Sequence, residues 1–461
     1  MSETEIKTME NHELYRNGQS ANKGNFRNFI AFWSGQQVSL LGSSIVQFVL
    51  IWWITIETQS ELMLGIASLV ALGPMVLLSP FSGVIADKIS RKLILFLSDT
   101  LQAVAAGVLI VLFLTGNASL LSIFIIMGVR SALGAFHQPV VMAMTPTMVP
   151  KDKLSRINGI SYLFGGAIRI IGPILGALFL GLFDIGWILW IDVITLVIAL
   201  IPLAFITIPT PAKLETSEKL NVFAEFREGI ITIKEIKGLL VLLGIFALVN
   251  FFLSPLSTLM PLFIEKIHNG TEDNYAFVMA FFQAGMIVGA LFMSVFKGFK
   301  RKVLVSIISI TSTLIFAGVL AFIPTGVFWA LGVLLFISSL SLPLIDISLI
   351  TALQLVIPEE KMGRATGVLM TISAGMTPLG MFLSGLIANY VGIKTVFIFS
   401  SVICIALVIL LYLVSPARNL DKVIIKKLDE VEAIQQEQKE LVLKAESESI
   451  KSDLEPASAI V

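Results

Sequence analysis

Long apolar stretches recur along most of this chain, and nothing else in the sequence restricts its fold so severely. A helix crossing the hydrocarbon core of a bilayer needs about 20 consecutive, mostly apolar residues. Twelve such runs are present, at 29–56, 62–86, 93–115, 119–149, 157–182, 187–209, 238–264, 275–296, 303–323, 327–357, 365–389 and 394–415. The expected fold is therefore an all-α polytopic membrane protein with twelve transmembrane helices. Composition points the same way: 56% of the 461 residues are hydrophobic and 14% charged. A soluble domain carries about 25% charged residues.

Several function classes fall away on residue counts. Lys and Arg number 32 and so do Asp and Glu, which argues against nucleic acid as a partner, since that wants a basic footprint. Cys404 is the single cysteine, so there is no intrachain disulfide and no thiolate metal site. His12, His137 and His268 lie far apart and lack metalloprotease spacing. No GxxxxGK[ST] loop occurs, which disfavours a nucleotide-driven pump. No cluster of His or acidic residues marks a catalytic centre, so an enzyme is not expected, and neither is a metal or cofactor.

Charge position sets the expected orientation. The loops Asp87–Lys92, Pro150–Arg156, Pro209–Lys237, Lys297–Lys302 and Pro358–Arg364 hold 17 basic residues; the alternate loops hold two, Lys266 and Lys394. By the positive-inside rule the first set and both termini are cytoplasmic, in a multi-pass protein of the cell membrane. Residues 1–28 are polar and lack the apolar core of a cleavable signal, so the first span is expected to act as its own insertion signal.

The two halves repeat. VPKDKLSRINGI at Val149–Ile160 matches IPEEKMGRATGV at Ile357–Val368, an offset of 208. Gly176 and Gly181 return as Gly380 and Gly385 at an offset of 204, and Gly83 and Arg91 as Gly289 and Lys297 at 206. A parallel repeat of six helices is an architecture in which two halves rock about a central site. The plainer reading is that Pro and Gly merely mark helix ends. The expected organisation is a tail at 1–28, a six-helix half at 29–209, a linker at 210–237, a second half at 238–415 and a charged tail at 416–461. Within the linker, Leu220, Phe223, Phe226, Ile230 and Ile233 form one face of an amphipathic helix placed along the cytoplasmic surface between the halves. In the tail, Leu420, Ile424, Leu428, Val431 and Ile434 form a similar stripe. A monomer is the expected state.

Three motifs carry the functional expectation. Gly83-Val-Ile-Ala-Asp87-Lys88-Ile-Ser-Arg91-Lys92 joins spans 2 and 3. This GxxxD(R/K)xxR(K/R) pattern resembles the signature loop of the major facilitator superfamily. That resemblance implies a neighbouring span 11, whose N-terminal dipole Asp87 would cap when the cytoplasmic side closes, a contact of about 0.3–2 kcal/mol. The loop also fits a purely topological role. In the second copy Met293 replaces the acid, so the latch is one-sided. Gly172-Pro173-Ile-Leu-Gly176 in span 5 resembles the superfamily's antiporter motif, with Ala177 in place of the final glycine. The resemblance implies export; plain helix packing fits the same residues. Arg130-Ser-Ala-Leu-Gly134 in span 4 resembles the family's RxxxG element.

Charges inside spans are few. Arg130 and Arg169 are the only basic residues at helix positions, accompanied by Asp99, Asp192 and Asp346. An intramembrane arginine costs about 2.5–3.5 kcal/mol and should face the bundle interior with a partner. Asp346 lies some 12 residues, roughly 18 Å, from the cytoplasmic end of span 10. It is the leading candidate for proton coupling, with permanent pairing to an arginine or hydroxyl as the alternative. Arg130, Asp192, Asp99 and Arg169 complete the coupling set. Gln47, His137, Gln138, Asn250, Phe251, Phe252 and Gln283 are candidate pocket residues, each of which helix packing alone also explains.

At finer resolution the chain is similar to the macrolide-efflux branch of drug/proton antiporters. The match rests on Ala31-Phe32-Trp33-Ser34-Gly35-Gln36 in span 1, Ala67-Ser68-Leu69-Val70 in span 2 and Ala135-Phe136-His137-Gln138-Pro139 in span 4, with Thr145-Pro146 and Ile191-Asp192-Val193. It is densest in the first half. The resemblance implies proton-coupled export of amphipathic, macrolide-like small molecules by alternating access. Export or flipping of an endogenous lipid or siderophore is the alternative within the class, and a non-transporting membrane sensor the rival outside it.

Overall fold

The computed structural model describes residues 3–206, 222–296, 299–357 and 359–429. Every described element is helical. The helices are α1 (Glu3–Thr58), α2 (Glu61–Lys88), α3 (Arg91–Leu114), α4 (Leu120–Met148), α5 (Lys151–Leu180), α6 (Ile185–Ile188), α7 (Trp190–Phe205), α8 (Val222–Glu235), α9 (Leu239–Leu262), α10 (Glu272–Val295), α11 (Lys302–Val319), α12 (Phe328–Leu340), α13 (Leu342–Val356), α14 (Glu359–Val391) and α15 (Ile393–Val414). Twelve spans are long and apolar enough to cross a membrane. The sixth combines α6 with α7. The seventh extends α9 through a π-helical turn, Phe263–Ile267. The tenth is α12 and α13, interrupted at Ser341, where Pro343 enters α13 near its start without a backbone N–H to donate.

Helices in lipid gain nothing from hiding apolar surface from one another, so they associate where small residues let backbones approach. Four crossings show this. A Cβ on Gly42 of α1 would overlap the Thr195 hydroxyl of α7, and one on Gly35 would lie 3.2 Å from Ala199 Cα. Gly172 and Gly176 of α5 press on Ser44 and Phe48 of α1. Gly285 and Gly289 of α10 press on the backbone of Phe336 and Leu340. Gly380 of α14 presses on Phe251 and Ser254 of α9. The α1–α5 crossing and the α9–α14 crossing use Gly176 and Gly380, the pair related by the sequence repeat. Hydroxyls add to packing: Ser338 donates to the Thr313 carbonyl at 3.1 Å, and Thr313 donates back to the Ser338 carbonyl at 3.2 Å.

The halves meet where α2 packs on α14 and α5 on α10. Their meeting is uneven along the bundle. Loops on one end carry most of the basic residues, and this is called the basic end below. At the opposite end one continuous apolar cluster joins both halves, from Phe48 and Trp52 to Phe263 and Tyr275. At the basic end each half holds its own cluster, around Met144 in the first and Leu353 in the second. Helix α8 packs on α14 of the second half and buries Ile233 there; the side chains of Leu220, Phe223 and Phe226 lie outside the described residues. Helical segment 417–429 buries Leu420 and Ile424 in the same cluster. Its Asp421 accepts hydrogen bonds from the backbone N–H groups of Val303 and Leu304 at 2.8 and 3.0 Å, satisfying the first turn of α11. Val431 and Ile434 lie outside the described residues.

Candidate functional site

Each half holds a cavity, and the two differ in chemistry. The first encloses about 250 Å³ between α1, α3 and α4, with a wall rich in polar side chains. Gln36 and Gln47 come from α1, Asp99 and Gln102 from α3, and Arg130, Ser131, His137 and Gln138 from α4. Arg130 and His137 are seven residues apart, two helical turns, so both project from one face of α4 into the same space.

Two buried clusters organise this wall. Asp192 of α7 is fully buried and paired with the Arg130 guanidinium, and Ser43 donates to its other carboxylate oxygen at 2.8 Å. Gly42 makes that contact possible, because a side chain there would hold α1 away from α7. Asp99, 2% exposed, takes a 3.0 Å hydrogen bond from the Gln36 amide on one oxygen. Its other oxygen lies 3.1 Å from His137 Nε2.

The second cavity encloses about 280 Å³ between α9, α10 and α13 and is mainly apolar. Met260, Met279, Met286, Phe282 and Leu253 supply a polarizable lining; Asn250, Asp346 and the hydroxyls of Ser254, Ser257, Thr313, Ser338 and Thr377 supply the polar groups. Asn250 donates to its own helix at the Phe246 carbonyl, 2.9 Å away. Asp346 is exposed on this wall, and among the described residues no basic side chain forms an ion pair with it.

The remaining expected residues are placed as follows. Arg169 is exposed on α5 and takes part in no ion pair among the described residues. Phe251 and Phe252 meet edge to face at 5.2 Å, and neither lines the second cavity. Gln283 is half-buried on α10, outside both walls. The side chains of Gly83, Asp87 and Lys88 lie outside the described residues, and with them the expected cap on span 11. Arg91 opens α3, and Lys92 Nζ donates to the carbonyls of Ala204 and Ile206 at 2.7 and 2.8 Å. That places a cation on the negative C-terminal end of α7.

Sequence reasoning missed the groups that close the opposite end. Tyr275 of α10 stacks on Phe48 and Trp52 of α1 at 5.2 and 5.9 Å between ring centroids, so one ring crosses from half to half. Lys266 Nζ donates to Glu61 Oε1 at 2.9 Å. Beside it Gly65 and Gly385 bring α2 and α14 into backbone contact. Gly176 reaches into this seal, because its missing side chain leaves room for Phe48, whose ring atom lies 2.7 Å from where a Cβ would be. Gln36 and Ser43 were missed as well. The glycines at 35 and 42, seven apart on one face of α1, were the available signal.

Comparison with known proteins accords with this geometry. The model of the Major Facilitator Superfamily matches residues 32–377 and 242–447. Macrolide efflux protein A of Streptococcus pyogenes is 30% identical over 393 residues, 85% of this chain and 97% of that protein. Macrolide efflux protein A of Enterococcus faecalis is 28% identical over 314 residues, 68% of this chain and 97% of that protein. Among solved structures, a peptide transporter crystallised with sulfate superimposes with a TM-score of 0.65 at 12% identity, over 86% of this chain and 95% of that one. With twelve spans in two six-helix halves and a family match over most of its length, the chain belongs to the Major Facilitator Superfamily of membrane transporters.

Proposed function

We propose that this transporter is a proton-coupled exporter of amphipathic, macrolide-like small molecules that works by alternating access. The positive-inside count puts the basic end and both termini in the cytoplasm. The joined cluster at the opposite end and the separate clusters at the basic end then correspond to a state open to the cytoplasm, in which an exporter loads. Cargo enters the second cavity. The observation that carries this reading is that cavity's wall, mainly apolar with three methionines and two phenylalanines, and with hydroxyl, amide and carboxyl groups to orient an amphipathic molecule. The 30% identity to macrolide efflux protein A supports the same cargo class.

Asp346 is the carboxylate through which cargo and proton compete, since it stands on the cargo wall without a basic partner among the described residues. Asp99, Arg130 and Asp192 lie in the other half, and Arg169 on α5 faces neither cavity. Everted vesicles test the reading directly. An imposed pH gradient, acid inside, drives erythromycin accumulation, and a protonophore abolishes it. Asp346→Asn loses the gradient-driven component. Accumulation that survives the protonophore and follows a sodium gradient refutes proton coupling, and a panel of macrolides, dyes and lipids that yields no transport refutes export.

A further inference from the structure

We propose that the His137–Asp99–Gln36 cluster is a second proton-exchanging site, in the opposite half from the cargo cavity. The inference rests on the proton-coupled reading above and adds to it where a proton is held. Three observations carry it. The two side chains are brought together from different helices, His137 Nε2 to Asp99 Oδ1 at 3.1 Å. Gln36 fixes the far oxygen of the carboxylate at 3.0 Å, and the near one lies beside a buried ring nitrogen that has no hydrogen-bond partner of its own. Both residues also line a cavity, giving a proton a route in and out.

Depth matches the role. Asp99 is eight residues into α3 from the basic end and His137 eleven residues into α4, roughly 12 and 16 Å. Of the two buried clusters in the first half, this one lies nearer the basic end, the open side in a state open to the cytoplasm. The Arg130–Asp192 pair differs in kind. It lies two turns farther along α4, and its carboxylate is held by a guanidinium that never gives up its charge and by the Ser43 hydroxyl. It is an anchor. His137 contributes an imidazole, whose ring nitrogens can accept a proton as well as donate one.

Apart from Arg130, other charges on the packed helices do not line the cavity. Among the described residues they are Arg27 and Glu57 near the ends of the membrane span of α1, Glu61 of α2, Arg91 and Lys92 at the start of α3, Lys153, Arg156 and Arg169 of α5, and Asp192 of α7. Only Arg130 shares the cavity wall with the pair. The chemistry balances as a proton transfer. The proton on the pair leaves to cavity water as cargo loads, and an outside proton restores it after release.

The test reads protons and cargo on one sample. Purified protein in weak buffer receives erythromycin, and the protons released are counted against erythromycin bound. Wild type releases protons on binding. His137→Gln and Asp99→Asn each bind erythromycin and release fewer protons, by about half, with Asp346→Asn removing the remainder. Release per bound erythromycin equal to wild type in His137→Gln overturns the assignment. So does loss of erythromycin binding in both variants, which makes the cluster part of the cargo site or of the fold. A wild type that binds erythromycin without releasing any proton refutes proton coupling itself and is told apart from the other outcomes by that control.

Discussion

Breaking the Arg130–Asp192 pair should cost more stability than any other single polar substitution in the first half. Asp192 is 0% exposed, and its carboxylate has two side-chain partners, Arg130 and Ser43. Arg130→Met leaves a buried anion with one neutral hydroxyl, and stranding one member of a buried pair costs about 3–5 kcal/mol. Asp192→Leu strands the cation instead, but the Arg130 side chain is 15% exposed to the cavity, so its loss should be smaller. At about 2 °C per kcal/mol for a large domain, Arg130→Met lowers the melting temperature by about 6–10 °C. The protein carries its own reporter: Cys404 is the single thiol and is buried, so a thiol-reactive fluorogenic dye lights up as the bundle opens. The double variant Arg130→Met with Asp192→Leu removes both charges and should melt within about 1 kcal/mol of wild type. Single shifts below about 1 °C, or a double shift equal to the sum of the singles, would refute the argument that the pair is energetically coupled.

Two further outcomes follow from local geometry. Gly42→Ala drives a methyl into the Thr195 hydroxyl and should cost about 1–3 kcal/mol in the same melt; adding Thr195→Ala should restore most of it, and no rescue would mean the crossing is not set there. His268, just beyond the π-helical turn, is 1% exposed with both ring nitrogens unpartnered, and burial, then the charge of Lys394, lowers its pKa from 6.5. The unfolded chain therefore binds a proton at His268 that the folded one refuses, and stability falls as pH drops through and below about 6.5. Melting should drop between about pH 7.5 and 5.5, and His268→Phe, which keeps the packing on Phe263 and Phe328, should flatten that drop; an unchanged slope in the variant assigns the acid sensitivity elsewhere.

Much of this protein is legible before any coordinates. Twelve spans follow from the cost of an unsatisfied backbone in hydrocarbon, a term so large that apolar run length alone decides it, and the uneven loop charges are read off directly by the positive-inside rule. The repeat and the glycine motifs are legible for a related reason, since close helix approach in lipid demands small residues at set positions. Side-chain partners are another matter. Arg130 could be read as needing a partner, but the choice of Asp192 over Asp99 depends on how deep α7 sits against α1, set by Gly42 and Thr195. Asp99 meets His137 because α3 and α4 are antiparallel neighbours in one particular register. Tyr275 wedges between Phe48 and Trp52 because two halves 200 residues apart in sequence close on each other at one end. The lipid imposes the spans on the sequence; which charges meet, and which end is sealed, is decided by packing between helices that no local pattern encodes.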